Sequence, residues 1–294
     1  MASLSEILNS KAEMKQQRTE SRRAEREQLS QMRDGALMAI TTNPDLYARF
    51  LVLQADNIGL SAGNIALTLS QMADPTKIGT TDFWHKQGRY VMDEEMSKGA
   101  AVFVPSRNPN FRGYLIYDVS QTTGKPMREP EPLTEGSERL NAAFAALLDT
   151  APVGFIENTG LEVPVRYNER ECILEINTEY STLEVFAALA TEISFARLHD
   201  RGMNRDYDRG AFQLNAESVG FMVCRRFGVD CPVPDAAGVQ QFYSYYSPDD
   251  RGKSLDFMRQ TARNMGDTVE RGIQPRQQEH TASRGSNNRQ YGRR

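Results

Sequence analysis

Two stretches of this 294-residue chain carry side chains of the kinds that do chemistry. The first is Phe83-Trp84-His85-Lys86-Gln87-Gly88-Arg89-Tyr90. An exposed Trp84 or Tyr90 beside Lys86 and Arg89 would offer a stacking face flanked by phosphate contacts, the combination that holds single-stranded nucleic acid. The alternative is a Trp84 buried in the core, where tryptophans are mostly found. The second stretch runs from Glu192 to His199 and is followed by Glu217. His199 lies two helical turns after Glu192, so both share one helix face. Carboxylates and an imidazole are metal-ligand and acid–base groups. If Glu192 and Glu217 are buried together without a cation, they need an arginine partner or a shared proton. Arg197, Arg225 and Arg226 are the arginines near them in sequence.

Other chemistries lack their residues. There is no P-loop, no GxGxxG and no GxSxG. Cys172, Cys224 and Cys231 have neither CxxC spacing nor a neighbouring His, and read as free thiols of a reducing compartment. Cys224 falls on an apolar helix face. Hydrophobic residues make up 39% of the chain, enough for a sizeable core, and the net charge of −4 argues against indiscriminate coating of nucleic acid. No apolar run spans a bilayer and no signal-peptide core follows the N-terminus, so a cytoplasmic protein without membrane contact is expected.

The elements that would position these residues form an α+β pattern. Residues 1–34 read as a mixed-charge helical leader. Asn43 caps a helix that starts at Pro44 and carries Leu46, Phe50, Leu51 and Leu53. A short helix spans Asn64 to Met72, and another covers 82–87. Val102 to Val104 and Tyr114 to Val119 are strand-like, joined through Pro105 to Gly113 in a hairpin-like connection. Residues 125–136 are proline-rich and read as a linker. A helix follows over 137–148. Leu161 to Val165 and Cys172 to Ile176 then flank a charged turn, a hairpin pattern. Ser181 and Glu184 form a capping box, opening a helix that reaches about His199. A polar loop, Asp200 to Gly210, leads to a helix from Phe212 to Phe227, stopped by Gly228. Aromatic residues fill 238–246, and Ser254 to Gly266 is helical. Residues 269–294 hold Arg271, Arg276, Arg284, Arg289, Arg293 and Arg294, a basic tail expected to be disordered.

Two segments resemble known families. Ser61 to Asn64, Phe83 to Val91, Gly99 to Pro105 and Tyr117 to Thr122 are similar, in order and spacing, to the N-terminal single-stranded-DNA-binding domain of ArdC-type antirestriction proteins. The resemblance implies such a domain over 35–124, with Asn64, Trp84, Lys86, Arg89 and Tyr90 as candidate nucleic-acid contacts. The family's basic turn is replaced by Asp93-Glu94-Glu95, three acids that would repel phosphate. Ala190 to His199 and Asn215 to Cys224 resemble the zincin-type metallopeptidase module of the same proteins, implied here over 137–268.

That resemblance also implies a broken zinc site. A zincin helix carries two His at i and i+4, with a Glu after the first. The matching segment reads Thr191-Glu192-Ile193-Ser194-Phe195, so both imidazoles are absent and Glu192 is vestigial. Glu217 matches the third ligand, and a shifted set of Glu192, His199 and Glu217 is the remaining metal candidate. The implied function is an antirestriction or DNA-transfer (conjugation) accessory protein of a mobile genetic element. It would bind single-stranded DNA, a host defence or restriction protein, or both, as a pseudoenzyme without cofactor. The alternative is a zinc metallopeptidase with non-standard ligands.

Overall fold

Leu4 to Ile40 contains no proline, and its one glycine does not interrupt it: α1 (Leu4–Ile40) is a single helix. The computed structural model describes residues 4–103, 114–127 and 129–274. The first turns of α1 are exposed, while Leu29, Leu37 and Ile40 are buried. The expected boundary between leader and body at 34/35 therefore falls inside a helix. The reason is its apolar spacing, which begins only at Leu29 and continues the same helix into the core.

Local signals account for the next elements. Asn43 accepts the N–H groups of Asp45 and Leu46 at 2.9 and 3.1 Å, and starts α2 (Pro44–Asp56). Ser61 caps α3 (Ala62–Gln71), and Thr80 caps α4 (Thr81–Lys86). Strands β1 (Ile78–Gly79), β4 (Tyr114–Asp118) and β3 (Ala100–Val102) form an antiparallel sheet with β4 in the centre. The strand expected over 102–104 is thus displaced to Ala100–Val102, and the connection at Pro105 to Gly113 lies outside the described residues. A separate ribbon pairs β2 (Arg89–Val91) with β5 (Thr122–Gly124).

The second half starts with α5 (Glu138–Leu148). It then builds a sheet in the order β6 (Gly154–Glu157), β8 (Ile173–Ile176), β7 (Val165–Asn168). β6 runs parallel to β8, and β7 runs antiparallel to it at the edge. The hairpin turn uses Cys172 at φ 51°. Its first arm starts at Val165, where the expected arm ended. The capping box of Ser181 and Glu184 opens α6 (Thr182–His199). α7 (Gln213–Arg226) follows and is closed by Gly228 at φ 65°, a conformation only glycine adopts without strain. α8 (Val239–Phe242) and α9 (Pro248–Ile273) complete the fold.

α6 and α7 approach closely at Gly220, where an added Cβ would lie 2.1 Å from Thr191 Oγ1. α9 extends past the expected boundary at 268/269 because Val269 is fully buried. Arg276, Arg284, Arg289, Arg293 and Arg294 lie outside the described residues. One apolar core runs through both halves. α7 packs on α2, and α9 packs on α1 and α3. Tyr47 Oη and Ser218 Oγ are 2.9 Å apart across this junction, and Arg251 donates to Thr41 Oγ1 at 2.6 Å. Leu133, within the expected linker, is buried and bonds to the Phe227 carbonyl at 2.9 Å. Each fully buried Leu or Phe in this core contributes roughly 1.5–3 kcal/mol. Among the described residues no helix is long and apolar enough to cross a membrane.

Candidate functional site

The hairpin strand β7 forms one wall of a cleft of about 980 Å³. Ala187 and Ala188 of α6 lie along it, with Cys231 to Pro234 opposite. β7 pairs on one side only. The Pro164 carbonyl accepts the Asn177 N–H at 2.9 Å, which fixes the alternation: residues 164, 166 and 168 bond to β8. The N–H and C=O groups of Val165 and Tyr167 consequently point to the free edge.

Glu192 closes part of that edge. Its Oε2 accepts the Tyr167 N–H at 2.7 Å. Both of its oxygens also receive the Arg209 guanidinium, at 2.5 and 3.1 Å. The same guanidinium sits 3.9 Å from the centre of the Phe195 ring. Burial works against the Arg209 charge, but the bonds and charge of Glu192 outweigh it and hold the guanidinium above its usual range. Glu192 is buried, and both of its oxygens are engaged, one by Arg209 alone and the other by Arg209 and a main-chain amide. A general base in this position would have to work with its carboxylate already ion-paired to Arg209.

Arg209 was not among the arginines expected to pair with Glu192. Arg197 donates to the Thr150 carbonyl, Arg225 grips Asp56, and Arg226 reaches Asp267 and Glu270. All three sit in the last turns of α6 and α7, which do not line the cleft. Arg209 arrives instead from the loop after α6, where Asp200, Arg201 and Gly202 take positive φ in succession.

The shifted metal set does not assemble. His199 Nδ1 lies 2.7 Å from Tyr167 Oη, with the Tyr207 ring 4.7 Å away. Burial pushes both tyrosine hydroxyls well above their usual range, so they stay protonated. Glu217 accepts from Gln213 at 2.8 Å. Among the described residues no three His, Cys, Asp or Glu side chains come together to hold a metal. The positions that the resemblance gives to zinc ligands are used otherwise: Thr191 packs on Gly220, and Phe195 lies under a guanidinium. This donor set does not fit zinc.

The face expected to bind nucleic acid is rearranged more heavily. Trp84 is fully buried, and its Nε1 donates to the Tyr117 carbonyl at 3.0 Å, so it cannot stack on a base. The Phe83 ring meets it edge-on at 5.0 Å. Asn64 donates to the Phe103 carbonyl at 2.7 Å and accepts the Phe103 N–H at 3.0 Å. Arg89 braces the ribbon through Thr122 Oγ1 and the Thr122 carbonyl, both at 2.8 Å. Tyr90 and Lys86 remain outward: Tyr90 is 57% exposed, with the His85 ring 5.0 Å from its own. The acidic turn is partly neutralised, since Glu95 pairs with Lys98 at 2.6 Å.

The three cysteines are free thiols. Cys224 is buried, and Cys231 is half-buried on the cleft wall. The Cys224 thiol points at the Ala187 carbonyl, 4.0 Å away; the neighbouring Cys231 holds the Cys224 thiol well above its usual range and is itself drawn below it.

The sequence matches no protein-family model and no curated protein. Two crystal structures of the antirestriction ArdC protein from plasmid R388 resemble the fold. The metal-free one has 19% identity and a TM-score of 0.45, and the Mn(II)-bound one has 21% and 0.46. Each match covers 72% of this chain and 84% of that chain. The chain is a distant structural match to that protein.

Proposed function

We propose that the chain is a non-catalytic binding protein of the antirestriction type, encoded by a mobile genetic element. Its peptidase-like cleft holds an extended polypeptide of a host defence system without cutting it. The observation that carries this reading is the Arg209–Glu192 clamp over Phe195. The clamp puts a fixed organic cation where a hydrolase would need an exchangeable metal and a free base. The lack of a paired strand on the cleft side of β7 supports the binding half, because an edge strand can take up an added strand. The antirestriction context comes from the sequence resemblance.

A second reading is single-stranded DNA binding by Tyr90 and Lys86. The exposed Tyr90 ring beside His85 favours it, since a single exposed aromatic can still stack a base.

Two measurements on protein purified without chelator test the first reading. Elemental analysis is expected to find zinc far below one atom per chain. Mass spectrometry is expected to recover cleft-bound peptides intact, with binding lost in Ala188→Trp, which fills the cleft floor. Stoichiometric zinc together with peptide cleavage would return the chain to the peptidases.

A further inference from the structure

Beside the cleft lies a second concavity of about 640 Å³. The two are neighbours, with Glu217 and Asp235 lining both. Three aromatic rings wall this chamber: Phe212, Phe242 and Tyr246. They are held in place rather than loose. Phe242 and Tyr246 stack with centroids 5.7 Å apart at 24°, and Phe212 stacks on Tyr207 at 5.9 Å and 14°.

Its charged side chains are of one sign. Asp206, Glu217 and Asp235 line it, and no Lys, Arg or His does so among the described residues. No ion pair reaches any of the three there. Glu217 commits one oxygen to Gln213, and Asp235 commits one to the Ala237 N–H. The remaining carboxylate oxygens are left for a ligand. Aromatic faces and carboxylates attract the same partner, a cation with an apolar stem. An anionic ligand, phosphate included, would meet repulsion from all three acids.

We propose that this chamber is the specificity pocket for a cationic side chain, Lys or Arg, of the polypeptide that lies in the cleft. The proposal rests on the cleft being a polypeptide site. A residue seated near Glu217 would leave its main chain on the cleft floor and turn its side chain past Asp235. Its stem would run between Phe212 and Phe242, and its charge would lie in the field of the chamber's carboxylates. The cleft is itself net acidic, with Glu169, Glu184, Glu192, Glu217, Asp230 and Asp235 against three arginines, so what the chamber adds is a preference at one fixed position.

A random heptapeptide display library panned on the full-length protein tests this. Enrichment of Lys or Arg at one fixed position is expected. Replacing that residue by norleucine in the selected peptide should weaken binding about tenfold. Asp206→Asn with Asp235→Asn should erase the difference, while the charge-matched pair Asp93→Asn with Glu94→Gln should keep it. Phe242→Leu should weaken both peptides, and the basic one more, because it removes a packing face for the stem and the aromatic face for the cation. Enrichment with no basic position, or equal affinity for the norleucine peptide, would overturn the chamber and leave the cleft standing. A library that yields no binder blocked by Ala188→Trp would overturn both. Cross-links from residues 275–294 into the chamber, with no uptake of added peptide, would assign it to the chain's own tail and overturn the proposal.

Discussion

The cleft and the Tyr90 face treat their motif residues in opposite ways. In the cleft, the side chains that metal chemistry would need are absent or used otherwise, while an edge strand and two closely packed helices enclose a concave space. On the Tyr90 face the side chains are present, but the fold has taken most of them. Trp84, Asn64 and Arg89 hold main-chain carbonyls and amides, and only Tyr90 and Lys86 are left to solvent. Matching residues therefore do not by themselves make a site or a surface.

Substitutions can break or sharpen this contrast. The largest effect is expected at the clamp. Arg209→Ala leaves Glu192 buried without its counter-charge and should lower stability by about 3 kcal/mol, the low end for such pairs because the guanidinium is 39% exposed. Chemical denaturation measures it; a neutral result would mean Glu192 has another partner and the cleft is not locked. Gly220→Ala comes next. Its methyl would collide with Thr191 Oγ1 and cost about 2 kcal/mol, and a double variant with Thr191→Ala should recover most of that. Failure of the rescue would place the conflict elsewhere in the helix pair.

On the other face, Trp84→Phe keeps the packing but removes the indole donor from the Tyr117 carbonyl, which keeps its ladder partner Gly79. A loss of about 1 kcal/mol is expected, with oligonucleotide affinity unchanged. Tyr90→Ala should do the reverse: unchanged thermal stability, and about a tenfold fall in affinity for single-stranded DNA if that face binds it. If Trp84→Phe rather than Tyr90→Ala altered binding, the face would be organised differently from the arrangement described. The smallest effect is kinetic. The half-buried Cys231, with its thiol drawn below the usual range, should be alkylated before Cys224 and at lower pH; equal rates would count against the thiol contact.

Local signals were the readable ones. Asn43 with Pro44, the Ser181–Glu184 box and Gly228 act within a turn or two of their own position, and the structure uses each where the sequence placed it. β6 escaped because Gly154–Glu157 is exposed at all four positions and shows no alternation. α9 began six residues earlier than its apolar pattern, at the Ser247 cap and Pro248. Glu192 was singled out from sequence, but its partner was not. Arg209 lies 17 residues away across a loop, and no periodicity links the two. The aromatic chamber was equally hidden, because Phe212, Phe242 and Tyr246 meet only after α7 and α8 have packed.

The shared core has a consequence for descent. Tyr47 against Ser218, Arg251 against Thr41 and Leu133 against Phe227 each join positions far apart in the gene. A crossover that replaced one half of the coding sequence would strand these contacts, whatever the merit of the incoming half. The heritable unit is therefore the stretch from α1 to α9, and new targets would be acquired by point changes on its clefts more readily than by shuffling its parts.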